Sequence, residues 1–307
     1  MPAFATSITI EDLMSAQFIA KKIKFSKNKK PNINNANNLT RTFARGMEYA
    51  ESRIYQPGDD ARHIDWRLTA RHAKTYSKLY HEEKGENNYI ILDLSTNMYF
   101  GTSYALKAVI AARAAAIIAW LSYNEQNNIG SIVMTNNNNF YLPAKFSKHN
   151  VLSFFNNITK NFLLDQSQLR KFIEQSDKSL PDNLLNITLS KYDHTFAKNS
   201  RIFIISDFTN IDSQTIKKIE KYVYNHFLYL IKITDPIENS LLPIGEYTIT
   251  NGQQSDVINI TKGNQDLFAT FFQQKLENYY KLITKLNIKT IDLTSEPNWH
   301  YNLAQQL

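Results

Sequence analysis

The sequence predicts an α/β protein: a mostly parallel sheet with helices on both faces, preceded by a smaller segment of helix and strand. Two observations carry this. From Tyr89 onward, short apolar runs alternate with longer helical stretches for about 200 residues, the pattern of strands joined by crossover helices. Several of those runs, such as Ile202-Phe203-Ile204-Ile205, are apolar at every position, as strands buried on both faces must be. The domain boundary is placed at 87/88, with residues 1–87 as an amino-terminal segment and 88–307 as the α/β domain.

Taken in order, Ser7 to Lys22 reads as an amphipathic helix. Thr9 and Asp12 form a capping pair, and Ile10, Leu13, Met14, Phe18 and Ile19 recur at helical spacing. Six lysines between Lys21 and Lys30, then an asparagine-rich stretch, read as a solvated connector. Thr42 to Arg53 is expected to be extended, Pro57-Gly58-Asp59 a turn, and Ala61 to Thr69 either a short helix or a strand. Lys74 to Leu79 reads as a strand leading to the next domain, with His81 to Asn88 a polar hinge. In the α/β part the expected strands are Tyr89 to Leu92, Gly130 to Met134, Arg201 to Ser206, Phe227 to Ile233 and Ile288 to Leu293. Asn136 to Leu142 suggests a hairpin into an antiparallel edge strand. Tyr247 to Ile249 and Val257 to Ile260 are expected as further edge strands. The helices are Tyr104 to Tyr123, Lys148 to Asn157, an indistinct stretch from Leu163 to Leu189, Ser213 to Asn225, Asp266 to Leu286 and Asn298 to Gln306.

The 307 residues are 43% hydrophobic and 12% aromatic, enough for a substantial core. The absence of cysteine excludes disulfides, thiolate catalysis and cysteine metal sites. No basic segment leads into an apolar run at the amino terminus, and the apolar stretch Ala105 to Leu121 is interrupted by Lys107 and Arg113. The chain therefore reads as cytoplasmic, without a transmembrane segment, which leaves peripheral association with the envelope open. Its net charge of +7 permits anionic partners without requiring them.

Six of the nine arginines lie between Arg41 and Arg71. Arginine suits sites where a planar fork meets a carboxylate or an aromatic face. Asp59, Asp60 and Asp65 supply carboxylates there, and Tyr55 and Trp66 supply rings. The stretch is expected to be an ion-pair knot first and a contact surface second. Two further acids stand at strand ends, Asp93 and Asp207, where ligands of open α/β sheets gather. Oxygen ligands there would suit Mg²⁺; the alternative is that both only cap loops and helix starts. No glycine-rich phosphate loop occurs, and His194 beside Asp193 lacks a serine in an elbow motif.

Tyr55-Gln56-Pro57-Gly58-Asp59-Asp60, followed by Arg62, Ile64-Asp65-Trp66-Arg67 and Ala70-Arg71, resembles the hallmark of a bacterial family catalogued as domain of unknown function fifty-eight. Ile205-Ser206-Asp207-Phe208 and Asp235-Pro236-Ile237-Glu238 with Leu242-Pro243 resemble later segments of that family. The resemblance implies a Rossmann-like von Willebrand factor A-type fold and a partnership with MoxR-type AAA+ ATPases. It also implies a metal-ion-dependent adhesion site at Asp93, Ser95 and Asn97, with Asp207 in its outer shell. This sequence departs from the pattern at Asn97, where a serine is usual. It also lacks a clear counterpart of a later threonine; Ser179-Leu180-Pro181-Asp182 stands about where it should be. The expected role is a non-enzymatic adaptor acting with the ATPase on an unknown client protein, with Tyr55, Gly58, Asp59, Arg62, Asp65, Trp66, Arg67 and Arg71 as the bracing or contact motif. The rival expectations are a nucleic-acid or anionic-membrane binder and, behind it, a Mg²⁺-dependent phosphate-cleaving enzyme. Lysines without interleaved aromatics and arginines matched by carboxylates argue against nucleic acid.

Overall fold

The computed structural model of the chain describes residues 5–25, 47–56, 59–72, 74–82, 85–102, 104–136, 138–174, 184–209, 211–239, 244–250, 255–261, 263, 265–286 and 288–307. The lysine-rich connector from Lys27, the Pro57-Gly58 turn, Leu242-Pro243 and Ser179 to Asp182 lie outside the described residues. Two compact units are present: Met1–Ser26 with Glu86–Leu307, and Lys27–Gly85. The amino-terminal helix thus belongs to the larger unit, and the smaller one is an insertion between residues 26 and 86.

That helix, α1 (Ile10–Ala20), starts at Thr9, whose hydroxyl accepts the Asp12 N–H while the Asp12 carboxylate accepts the Thr9 N–H. In the smaller unit, β1 (Met47–Ile54) pairs antiparallel with β2 (Tyr76–Glu82). Between them lie a 3-10 turn, Ala61–His63, and a one-turn helix, α2 (Trp66–Thr69). The hinge expected at His81 to Asn88 is corrected here. His81 and Glu82 are paired with Glu48 and Met47, so β2 folds back on its own unit, and the next strand already begins at Asn87.

The larger unit continues with β3 (Asn87–Asp93), α3 (Lys107–Asn124), β4 (Asn128–Met134), β5 (Asn139–Lys145), α4 (Lys148–Glu174) and α5 (Leu184–Tyr192). After these come β6 (Arg201–Ser206), α6 (Ser213–Asn225), β7 (Phe227–Thr234), the one-turn α7 (Pro236–Asn239), β8 (Gly245–Thr250) and β9 (Ser255–Ile260). It closes with α8 (Gln265–Leu286), β10 (Lys289–Thr294) and α9 (Trp299–Gln306). The six-stranded sheet runs β10-β7-β6-β3-β4-β5, and only β5, on its edge, is antiparallel to its neighbour. β8 and β9 pair with each other as a separate hairpin, not as edges of the main sheet. Strand-like residues in both segments gave the conformation but not the partner.

Successive side chains of a strand point to opposite faces. Ile90 and Leu92 enter a core shared with α1, α3 and α4; Tyr89 and Ile91 enter a second core with α5, α6 and α8. In α3 every residue from Lys107 to Ser122 except Arg113 is buried. A helix apolar on all sides needs cover on all sides, and α1 supplies part of it: the Trp120 indole N–H donates to the Leu13 carbonyl at 3.1 Å. Arg113 turns towards Asp12, 3.9 Å away. No helix among the described residues is long and apolar enough to cross a membrane.

His226, at the end of α6, packs against the rings of Phe196 and Tyr222 with its Nδ1 buried and unpaired. Burial holds the imidazole below its ordinary value; nearby Asp193 opposes this and Lys221 adds to it. The unfolded chain then takes up a proton first, so stability is complete above about pH 6.5 and falls as the pH drops below it. Denaturant midpoints at pH 7 and pH 5 should therefore fall less in His226→Leu than in the wild type; equal declines would remove His226 from the acid response.

Candidate functional site at the strand ends and on the arginine motif

The sheet order reverses between β3 and β6, which opens a crevice beyond their carboxyl ends, the usual ligand position in such sheets. Asp93 is the last residue of β3 and Asp207 the first after β6, so the fold brings these two predicted residues to one place. One Asp93 oxygen accepts the Ser95 N–H at 2.8 Å, and the other accepts the Ser206 hydroxyl at 2.6 Å. Burial raises the Asp93 carboxyl above the usual range, and the negative charge of Asp207 adds to the rise. Ser95 and Asn97 are half-buried on the 3-10 turn after β3.

Asp207 was expected to cap a helix or to join a metal shell. The cap of α6 is instead Asp212, which accepts the Thr215 N–H at 2.7 Å. One Asp207 oxygen accepts the N–H and the hydroxyl of Thr209, at 3.1 and 3.0 Å. The other lies 3.0 Å from the ammonium of Lys107. Burial works to raise the Asp207 carboxyl, but Lys107 and the Thr209 donors outweigh it and hold the group below the usual range. Phe208 turns the chain here with φ of 55°, an uncommon conformation for a bulky residue, and stacks on Tyr279 at 5.0 Å. That turn sends Thr209 back onto Asp207.

Sequence reasoning did not assign to the site the residues that complete this network, Lys107, Asp235 and Glu238. Lys107 opens α3, is 2% exposed, and lies 2.7 Å from Glu238 as well as near Asp207. Burial acts against its charge, yet the two carboxylates raise its pKa overall. Glu238 in turn accepts the Asp235 N–H at 3.1 Å. Asp235, fully buried at the end of β7, accepts the Thr102 N–H at 2.9 Å, the Ser295 hydroxyl at 2.8 Å, the Ile237 N–H at 3.1 Å and the Thr102 hydroxyl. The available signals were a lysine starting an apolar helix and an Asp-Pro directly after a strand.

The donor set does not fit a divalent cation. An ion drawn to Asp207 would stand beside the Lys107 ammonium, and each Asp93 oxygen already has one lone pair engaged, by Ser95 or Ser206. Among the described residues no three or more His, Asp or Glu side chains converge as a metal-holding group.

In the smaller unit the aspartates of the arginine motif build the local structure. Asp59 pairs with Arg53 at 2.7 Å and accepts the Gln56 N–H at 3.0 Å, while the Tyr55 hydroxyl donates to the Asp59 carbonyl at 3.2 Å. Asp60 accepts the Arg62 N–H at 2.9 Å and meets its guanidinium at 3.0 Å. Asp65 caps α2 through the Leu68 N–H at 3.0 Å and accepts the Ser52 hydroxyl at 3.2 Å. The Leu68 N–H is the main reason its carboxyl lies below the usual range. Gly58 lies outside the described residues. The expected stacking of guanidinium on Trp66 or Tyr55 is not found among the described residues. Trp66 is 69% exposed, and Arg67 and Arg71 are exposed beside it.

The model of a family described as "Protein of unknown function DUF58" matches residues 51–279. Uncharacterized proteins of Mycobacterium tuberculosis and Mycobacterium bovis are 22% identical to this chain over 256 residues, 83% of this chain and 76% of theirs. Among solved structures, the conserved hypothetical protein BatB of Bacteroides thetaiotaomicron is 12% identical, covering 72% of this chain and 97% of its own, with a TM-score of 0.44. An aerotolerance-related membrane protein of Bacteroides fragilis is 14% identical over 72% of this chain and 98% of its own, with a TM-score of 0.37.

Proposed function

Given that the chain belongs to the family described as "Protein of unknown function DUF58", we propose that it is a non-enzymatic adaptor that works with a MoxR-type AAA+ ATPase on the assembly or maturation of a client protein. The ATPase partnership rests on the family resemblance of the arginine motif. The observation that supports a docking role is the division of labour within that motif. Its aspartates are engaged in pairing, turns and a helix cap, while Trp66, Arg67 and Arg71 face solvent. Trp and Arg are the side chains that most often anchor protein interfaces. Two exposed arginines in the same short segment as an exposed tryptophan favour a partner surface carrying carboxylates.

At the strand ends the carboxylates are held by internal donors, which argues against a catalytic role for them. Capture of the ATPase by the full-length chain tests the proposal. Trp66→Ala and Arg67→Ala are expected to weaken capture by roughly tenfold or more, the scale of an interface anchor, without changing the circular dichroism spectrum. Undiminished capture by both folded variants would sink the docking role. The exposed arginines favour a second reading, binding of nucleic acid or acidic membrane. Steeply salt-dependent binding to DNA, RNA or anionic vesicles that is lost in Arg67→Ala would replace the adaptor reading.

A further inference from the structure

The Lys107 ammonium bridges Asp207 and Glu238 inside the crevice where the family resemblance places a metal ion, and from this geometry we infer that the strand-end cluster carries its own fixed cation and works without a divalent metal. Placing a lysine there is otherwise unfavourable. The first turn of a helix is the positive end of its dipole and disfavours cations, and burying an ammonium is costly unless it is paired and hydrogen-bonded. Lys107 is both at the first position of α3 and almost fully buried. Two carboxylates from different parts of the chain offset this, Asp207 at 3.0 Å and Glu238 at 2.7 Å, and the ring of Phe100 lies 5.7 Å away.

The bridge does what a metal does in a strand-end site: it ties separate loops to one positive charge. Lys107 brings the start of α3, Asp207 the end of β6, and Glu238 the turn after β7. Mg²⁺ would require near-octahedral oxygen ligands at about 2.0–2.1 Å. The Asp93 oxygens are held by Ser95 and Ser206, and the Asp207 oxygens by Thr209 and Lys107. A divalent ion would have to share Asp207 with an ammonium 3.0 Å away and compete with these donors for the remaining lone pairs. The inference concerns the larger unit alone and does not depend on the docking role of the arginine motif.

The test uses the full-length chain stripped of metal. Thermal unfolding in millimolar Mg²⁺, Mn²⁺ or Ca²⁺ is expected to match unfolding in EDTA, since a ligand that binds only the folded state must raise the melting temperature. A saturable rise in the wild type would overturn the inference. The counter-ion role has its own readout. Lys107→Met should lower the melting temperature or prevent folding, and adding Asp207→Asn and Glu238→Gln to the same chain should recover most of the loss. A triple variant no more stable than Lys107→Met would show that Lys107 fills space there and does not serve as the cation.

Discussion

Asp235→Ala is expected to destabilise the larger unit by about 2–4 kcal/mol, because it leaves buried donors without their acceptor. Asp235 is fully buried and accepts from Thr102, Ile237 and Ser295, which stand before α3, in α7 and after β10. A carboxylate has two oxygens and only acceptor capacity, which suits a position surrounded by N–H and O–H groups. Hydroxyls can turn to other partners, whereas the backbone N–H groups of Thr102 and Ile237 cannot. Asp235→Asn keeps one acceptor oxygen and should fall between alanine and the wild type. Trp120 and Trp299 are buried in the larger unit, so their fluorescence in a Trp66→Phe background reports its unfolding alone. A denaturant midpoint unchanged in Asp235→Ala would mean that these segments hold their positions without it.

Leu13→Ala should cost about 2–5 kcal/mol, the range for deleting a fully buried leucine side chain. Leu13 is buried in the core formed by α1, α3 and α4, and its carbonyl accepts from the Trp120 indole. Phe18, on the same helix, is exposed, and Phe18→Ala should change stability by less than about 0.5 kcal/mol. The contrast separates a helix built into the core from one that only rests on it. Equal, small effects at both positions would show that α1 is dispensable. Leu13 lies outside the segment that matches the family model, which begins at residue 51.

Much of the sheet was legible because its signal is local. A run such as Arg201 to Ser206 declares a strand by its own residues, and its observed limits are the expected ones. Asp93 and Asp207 followed from the same reading, since a polar residue ending an apolar run marks a strand end. Partners were less legible. β8 and β9 carry strand residues, but nothing in six residues says whether they extend the main sheet or pair with each other. The place of α1 rests on packing against α3, including the bond between Leu13 and Trp120, which are 107 residues apart. Lys107 shows the same limit in the site. It read as an interruption of an apolar stretch, because its carboxylates come from residues 100 and 131 positions further on. Hydrophobic patterning identifies which faces are buried; it does not identify which buried charges meet.

The lateness of that α1 contact has a consequence for synthesis. At about 5–20 residues per second, roughly 5–20 s separate the emergence of Leu13 from that of Trp120, which lies 107 residues later in the chain. During that interval α3 and α4, whose residues share the core with Leu13, Ala16 and Ala20, have not yet been completed. An isolated helix of 11 residues is marginal in water. The nascent segment is therefore expected to stay largely unfolded until α3 has been made.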